Sequence, residues 1–119
     1  MSSYKDLIVW QKSYQLTLAI YSITKQFPKD ELFGLTSQMR RSSVSLPSNI
    51  AEGNARFSKK DHLQFIRVAY GSGAELETQI YIAKSITYMS QLDFGKTETL
   101  LEEVMKMLNS MIRKLKPRS

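Results

Sequence analysis

The sequence contains no cysteine and a single histidine, His62. Without cysteine the chain cannot form disulfides or the usual cysteine-based zinc sites, and one histidine cannot build a multi-histidine metal site. Apolar residues nowhere continue for the ~20 positions that a membrane-spanning helix needs, and the first residues lack the apolar run of a signal peptide. We therefore expect a soluble cytoplasmic protein with no metal site, no cofactor and no membrane partner.

Glycine and proline are also scarce, with 5 and 3 residues, which predicts few loops and long regular elements. The 119 residues, 42% of them hydrophobic, are enough for a single domain with one core. Periodicity predicts four helices, at about residues 6–27, 35–55, 58–89 and 96–116. Short connections between long helices favour antiparallel neighbours, so the predicted fold is an all-α, antiparallel up-down four-helix bundle over residues 1–119.

Each predicted helix carries one stripe of core residues at helical spacing. The stripes consist of Val9, Leu16, Ile20, Ile23 and Phe27; Leu35, Met39, Ser43, Leu46 and Ile50; Phe65, Ala69, Ser72, Leu76, Ile80 and Ala83; and Leu101, Val104, Leu108, Met111 or Ile112, and Leu115. Pro47 interrupts the second helix. Because proline removes a backbone hydrogen bond there, we expect a kink over residues 43–47.

The first two helices carry a second apolar stripe beside the core stripe. It contains Trp10, Tyr14, Thr17 and Tyr21 on the first helix, and Val44, Pro47 and Ala51 next to Arg40 on the second. A helix in an isolated four-helix bundle needs only one apolar face, so a second face indicates a contact with another subunit. We predict an oligomer interface formed by Trp10, Tyr14, Tyr21, Val44 and Pro47.

Signatures of an enzyme are absent from the sequence. Gly71 and Gly73 lie inside a predicted helix and do not form a phosphate loop, and either packing or the approach of a ligand could explain them. Glu75 and Glu77 are two residues apart and point in different directions on a helix. We place His62 on the surface at the start of the third helix, so no nucleophile–base pair can be argued. We expect no catalytic residue and no enzymatic activity.

The net charge of +6 is unevenly distributed. Residues 68–103 are acidic, and the basic tail beyond them matches the dipole at the end of the fourth helix. The remaining basic cluster defines our candidate nucleic-acid-binding residues, Arg40, Arg41, Arg56, Lys59, Lys60 and Arg67. Such side chains contact phosphates of RNA or DNA without reading sequence. The alternative is that Arg40 and Arg41 form salt bridges with Glu52 or Glu75.

Several motifs, taken in order along the chain, resemble one bacterial family. They are Tyr4-Lys-Asp-Leu-x-Val-Trp-Gln-Lys12, Phe27-Pro28, Phe33-Gly-Leu35, Gln38-x-Arg-Arg41, Ser45-Leu-Pro-Ser-Asn-Ile-Ala-Glu-Gly53 and Ala69-Tyr-Gly-Ser-Gly-Ala-Glu-Leu-Glu77. The family comprises four-helix-bundle proteins encoded in intervening sequences of 23S ribosomal RNA genes. It includes the accessory variability determinant proteins of diversity-generating retroelements.

The resemblance implies a homopentameric barrel with a basic surface. It also implies that the retroelement members bind nucleic acid and a reverse transcriptase. Function does not follow from fold alone, so two hypotheses remain. In the first, the oligomer binds RNA or DNA through the basic cluster and assists a reverse transcriptase. In the second, the protein is an oligomeric protein–protein interaction scaffold that does not bind nucleic acid.

Overall fold

The computed structural model of the protein describes residues 3–117 and contains four long helices. These are α1 (Ile8–Thr24), α2 (Ser37–Asn54), α3 (Lys59–Ser85) and α4 (Gly95–Leu115). No β-strand occurs in the described range, so the predicted all-α class is confirmed. The molecule measures 47 × 32 × 23 Å, and none of the helices within residues 3–117 is both long and apolar enough to cross a membrane.

Neighbouring helices run in opposite directions. Ser42 of α2 contacts Glu75 of α3, and Ser45 contacts Ser72, so residue numbers rise along one helix as they fall along the other. The same relation holds elsewhere in the bundle, where α1 packs on α2, and α4 packs on both α3 and α1. The structure is therefore the predicted up-down arrangement of four helices.

The core stripes of α1 and α2 are confirmed, since every residue predicted for them is buried. In α3 two assignments are wrong: Phe65 and Ser72 are only half-buried, and the adjacent Ile66 and Gly73 take the core positions. Phe65 lies at the rim of the core, where the Arg56 guanidinium covers its ring at 4.5 Å from the ring centre. Ser72 lies at the boundary between two helices, where its hydroxyl meets that of Ser45 at 2.8 Å.

Pro47 does not end α2, which is helical from Ser37 to Asn54. Proline cannot donate a hydrogen bond to the carbonyl four residues earlier, which belongs to Ser43. In its place the Thr17 hydroxyl of α1 donates to the Ser43 carbonyl at 2.9 Å. Non-helical backbone lies at Gly34 (φ −115°, ψ −116°), inside the π-type turn that precedes α2.

Two helices end earlier than predicted. α3 ends at Ser85 and not near residue 89, because Ile86 adopts an extended backbone conformation and the next residues form turns. The Tyr88 hydroxyl then donates to Glu31 at 2.9 Å, which joins this connection to the one between α1 and α2. α1 ends at Thr24, and turn hydrogen bonds hold the residues up to Phe27.

The two glycines of α3 have different surroundings. Gly73 is buried, and a methyl group there would overlap the sulfur of Met105 in α4. Packing therefore explains Gly73, because the Met105 side chain fills the space that a methyl group would need. Gly71 is exposed, and a methyl group there would meet nothing within 4 Å.

Candidate nucleic-acid interface

The candidate site begins at the first turn of α3. The Ser58 hydroxyl accepts a hydrogen bond from the Asp61 backbone N–H at 3.1 Å and so caps the helix. The cap fixes the start of α3 directly after the short connection from α2. Lys59 and Lys60 therefore lie in the first turn, and Arg67 follows about two turns later.

The end of α4 lies opposite this turn, because the two helices are antiparallel. Together they enclose a cleft of about 780 Å³ with five cationic side chains. We call it the basic cleft, and it is lined by Lys59, Lys60, Leu63, Arg67, Lys114, Leu115, Lys116 and Pro117. Three of the predicted nucleic-acid-binding residues therefore lie together, and two lysines from the tail join them.

The cations of the basic cleft have no carboxylate partner among residues 3–117. The ion pairs in this range are Lys12–Glu103, Arg56–Glu52, Lys84–Glu98 and Lys106–Glu102. Like charges placed together without a counter-charge repel one another and attract a polyanion, which releases their counterions when it binds. Leu63, Leu115 and Pro117 add an apolar lining to the same cleft.

Arg56 is close to the cleft but already has partners. Its Nη2 lies 3.0 Å from the Glu52 carboxylate, and its guanidinium covers the Phe65 ring. Glu52 therefore pairs with Arg56 and not with Arg40 or Arg41. The second carboxylate considered for those arginines, that of Glu75, accepts from the Ser42 hydroxyl at 2.9 Å.

Arg40 and Arg41 belong to another part of the surface. The Arg40 Nε–H donates to the Thr24 hydroxyl at 2.9 Å, and the guanidinium lies 4.6 Å from the centre of the Tyr21 ring. Both arginines line a groove of about 520 Å³ near the connection between α1 and α2. We call it the arginine groove, and it is lined by Tyr21, Leu32, Phe33, Thr36, Ser37, Arg40, Arg41 and Val44.

The residues predicted for the oligomer interface fall into two grooves on the α1–α2 face. Tyr21 and Val44 line the arginine groove. Trp10, Tyr14 and Pro47 line a second groove of about 600 Å³, which we call the aromatic groove. Within it the Trp10 and Tyr14 rings are stacked, with their centres 5.3 Å apart and their planes 12° apart.

His62 is less exposed than predicted. His62 is half-buried and packs closely on Gly53. A methyl group on that glycine would lie only 3.0 Å from the His62 Cδ2. Its Nε2 is enclosed and has no hydrogen-bond partner among residues 3–117. Burial lowers the pKa of His62 from its usual value of 6.5, since the charged ring would lose hydration there.

The sequence matches one protein family over most of its length. The model of the 23S rRNA-intervening sequence protein family matches residues 5–110. The chain belongs to this family. Among curated proteins, none matches this intervening sequence protein significantly. The match includes half of the residues that line the basic cleft and stops before the other half, which are Lys114, Leu115, Lys116 and Pro117.

Sequence reasoning missed two features of the basic end of this family member. Lys114 and Lys116 were attributed to the helix dipole, although the antiparallel topology places them beside Lys59 and Lys60. Antiparallel helices of similar length bring the start of α3 to the end of α4, so the predicted topology alone could have shown this. Phe57, in the connection between α2 and α3, was not considered, and its side chain is fully exposed.

Proposed function

We propose that this protein is a small, non-enzymatic RNA- or DNA-binding protein that holds the phosphate backbone in the basic cleft. The observation that carries the proposal is the convergence of five cationic side chains from two helices without a carboxylate partner among the described residues. Lysine and arginine contacts to phosphates fix position without reading base sequence, so the binding is expected to be sequence-independent.

The proposal predicts a steep dependence of affinity on salt. If all five cations contact phosphates of duplex DNA, the logarithm of the binding constant falls with the logarithm of salt concentration with a slope of about −4.5. Changing Lys114 and Lys116 together to alanine should reduce the slope by about 2 units and weaken binding to RNA and DNA alike. Fluorescence anisotropy with labelled duplexes across a salt series measures both quantities.

A matched control variant also loses two positive charges, but from a different part of the surface. Lys25 and Lys29 lie near the connection between α1 and α2, at the other end of the bundle, and both are exposed. Their change to alanine lowers the net charge equally but leaves the basic cleft intact. Equal weakening by both pairs would mean that overall charge, and not the cleft, determines binding.

We also propose a homo-oligomer that assembles through the aromatic groove and the neighbouring arginine groove. The exposed apolar residues on the α1–α2 face support this, and the resemblance suggests a homopentamer of the accessory variability determinant type, serving as an accessory to a reverse transcriptase. Light scattering tests the assembly, and a mass equal to one chain would contradict it. Copurification with a reverse transcriptase encoded next to the gene tests the partner.

The second candidate function is an oligomeric protein–protein interaction scaffold that does not bind nucleic acid. The stacked Trp10 and Tyr14 rings favour it, because self-association through an aromatic groove would build such a scaffold without any role for the basic cleft. A folded oligomer that binds neither RNA nor DNA at low salt would support this function and overturn the first proposal.

A further inference from the structure

Phe57 is the most exposed large apolar side chain within residues 3–117, with a relative exposure of 108%. It lies in the connection between Asn54, the last residue of α2, and Lys59, the first residue of α3. Apolar side chains of this size are normally at least partly covered in a folded protein, because their burial is favourable. The position of Phe57 therefore requires an explanation.

The backbone around Phe57 is held on both sides. The Arg56 N–H donates to the Gly53 carbonyl at 3.1 Å, and the Arg56 side chain lies over Phe65. On the other side, the Ser58 hydroxyl caps α3. The ring of Phe57 thus projects from a fixed turn, so a ligand that covers it loses little conformational entropy of the protein.

The charge of the surroundings indicates the chemistry of that ligand. Lys59, which lines the basic cleft, is two residues away from Phe57, and Lys60 follows it. A polyanion with flat apolar faces suits both features, because its charge matches the cleft and one of its faces covers the ring. Nucleic acids have this combination, since aromatic side chains stack on the faces of bases. Inside a duplex, stacking between neighbouring pairs covers those faces, so they are most accessible where bases are unpaired.

We infer that Phe57 stacks on an unpaired base while the basic cleft holds the adjacent phosphates. This inference rests on the proposed function and narrows its ligand to nucleic acid with a single-stranded segment beside a duplex. A lipid membrane explains the site less well. The immediate neighbours of Phe57, Arg56 and Ser58, are exposed and polar, and one large apolar side chain gives little membrane affinity.

The test uses two labelled RNA probes in anisotropy titrations. One is a blunt hairpin, and the other is the same hairpin with a short single-stranded 3′ extension that carries 2-aminopurine. We expect the extended probe to bind about tenfold more tightly, in keeping with the stacking of one base, and to show a change in 2-aminopurine fluorescence. Phe57→Ala should remove this tenfold difference and the fluorescence change, while blunt-hairpin binding stays the same.

Two further variants make the test specific. Phe57→Tyr keeps an aromatic ring and should retain the preference for the extended probe. Tyr81→Ala removes another exposed aromatic ring, with a relative exposure of 75%, near the other end of α3 and should change nothing. Because both side chains are exposed, neither change is expected to affect folding, which circular dichroism can verify.

The outcomes separate this inference from the proposed function. Binding of both probes with equal affinity, unaffected by Phe57→Ala, would overturn the stacking role and leave the basic cleft as the binding site. An equal effect of Tyr81→Ala would also overturn it. Loss of binding to phosphatidylserine vesicles in Phe57→Ala, with unchanged RNA binding, would assign the ring to a membrane. Binding of neither probe at low salt would overturn the proposed function itself.

Discussion

Replacement of Thr17 by valine tests how α2 accommodates a proline in its interior. The Thr17 hydroxyl donates to the Ser43 carbonyl, which lacks its helical partner because residue 47 is proline. Valine has nearly the same shape but cannot donate, so the buried Ser43 carbonyl loses its donor. Leaving a buried group unsatisfied costs about 1–3 kcal/mol, and we expect a loss in this range.

The free energy of unfolding can be measured by urea titration, followed by circular dichroism at a fixed protein concentration. The Thr17 hydroxyl also lies 3.0 Å from the Ser13 carbonyl of its own helix. That carbonyl keeps its backbone partner, so its loss of the hydroxyl should matter little. Thr78→Val is the matched control, since the Thr78 hydroxyl donates only to the Ala74 carbonyl of its own helix. We expect a change within about 0.5 kcal/mol there.

A double-mutant cycle with Pro47→Ala makes the argument refutable. Alanine at position 47 restores a backbone N–H that can donate to the Ser43 carbonyl, so the hydroxyl of Thr17 becomes dispensable. In the Pro47→Ala background, Thr17→Val should therefore cost at least about 0.5–1 kcal/mol less than in the natural sequence. If Thr17→Val has the same cost in both backgrounds, the hydroxyl does not replace the missing backbone donor and this reasoning fails.

Two further predictions concern stability. Gly71→Ala should stabilise the protein by roughly 0.5–1 kcal/mol, because alanine favours helix and meets open space there, whereas Gly73→Ala should lose this gain by displacing Met105. Urea titration of the two variants distinguishes them, and equal gains would refute the packing explanation. The lowered pKa of His62 means that the unfolded chain binds its proton more readily. The unfolding midpoint should therefore be highest above pH 6.5 and fall as the pH decreases towards 5, and His62→Gln should reduce that fall.

The helices and most of the core were predictable because both depend on local periodicity. The stripe from Val9 to Phe27 follows from the helical repeat alone, and so does that from Leu35 to Ile50. The break at Gly34 was not predictable in this way, because it depends on how the chain enters α2. The role of Thr17 could be found only from the structure. The sequence places Thr17 in the second stripe of α1 but does not show that its hydroxyl donates to the Ser43 carbonyl of α2.

The candidate site was only partly predictable for a related reason. Lys59, Lys60 and Arg67 are close in sequence, so their proximity in space follows from one helix. Arg40 and Arg41 looked equivalent to them, but Tyr21 and Thr24 of α1 engage Arg40 on a different face. Which cations converge depends on the packing of helices, which charge patterns along the sequence do not determine.

The polar contacts between α2 and α3 have a consequence for the uniqueness of the folded state. Apolar stripes alone would let one helix slide along its neighbour by a turn with little change in buried area. Ser42 with Glu75 and Ser45 with Ser72 are complementary at one offset only, and a slide would separate both pairs. These four side chains thus fix the register between α2 and α3. The register sets how far α3 extends beyond α2, and hence the position of Lys59 and Lys60.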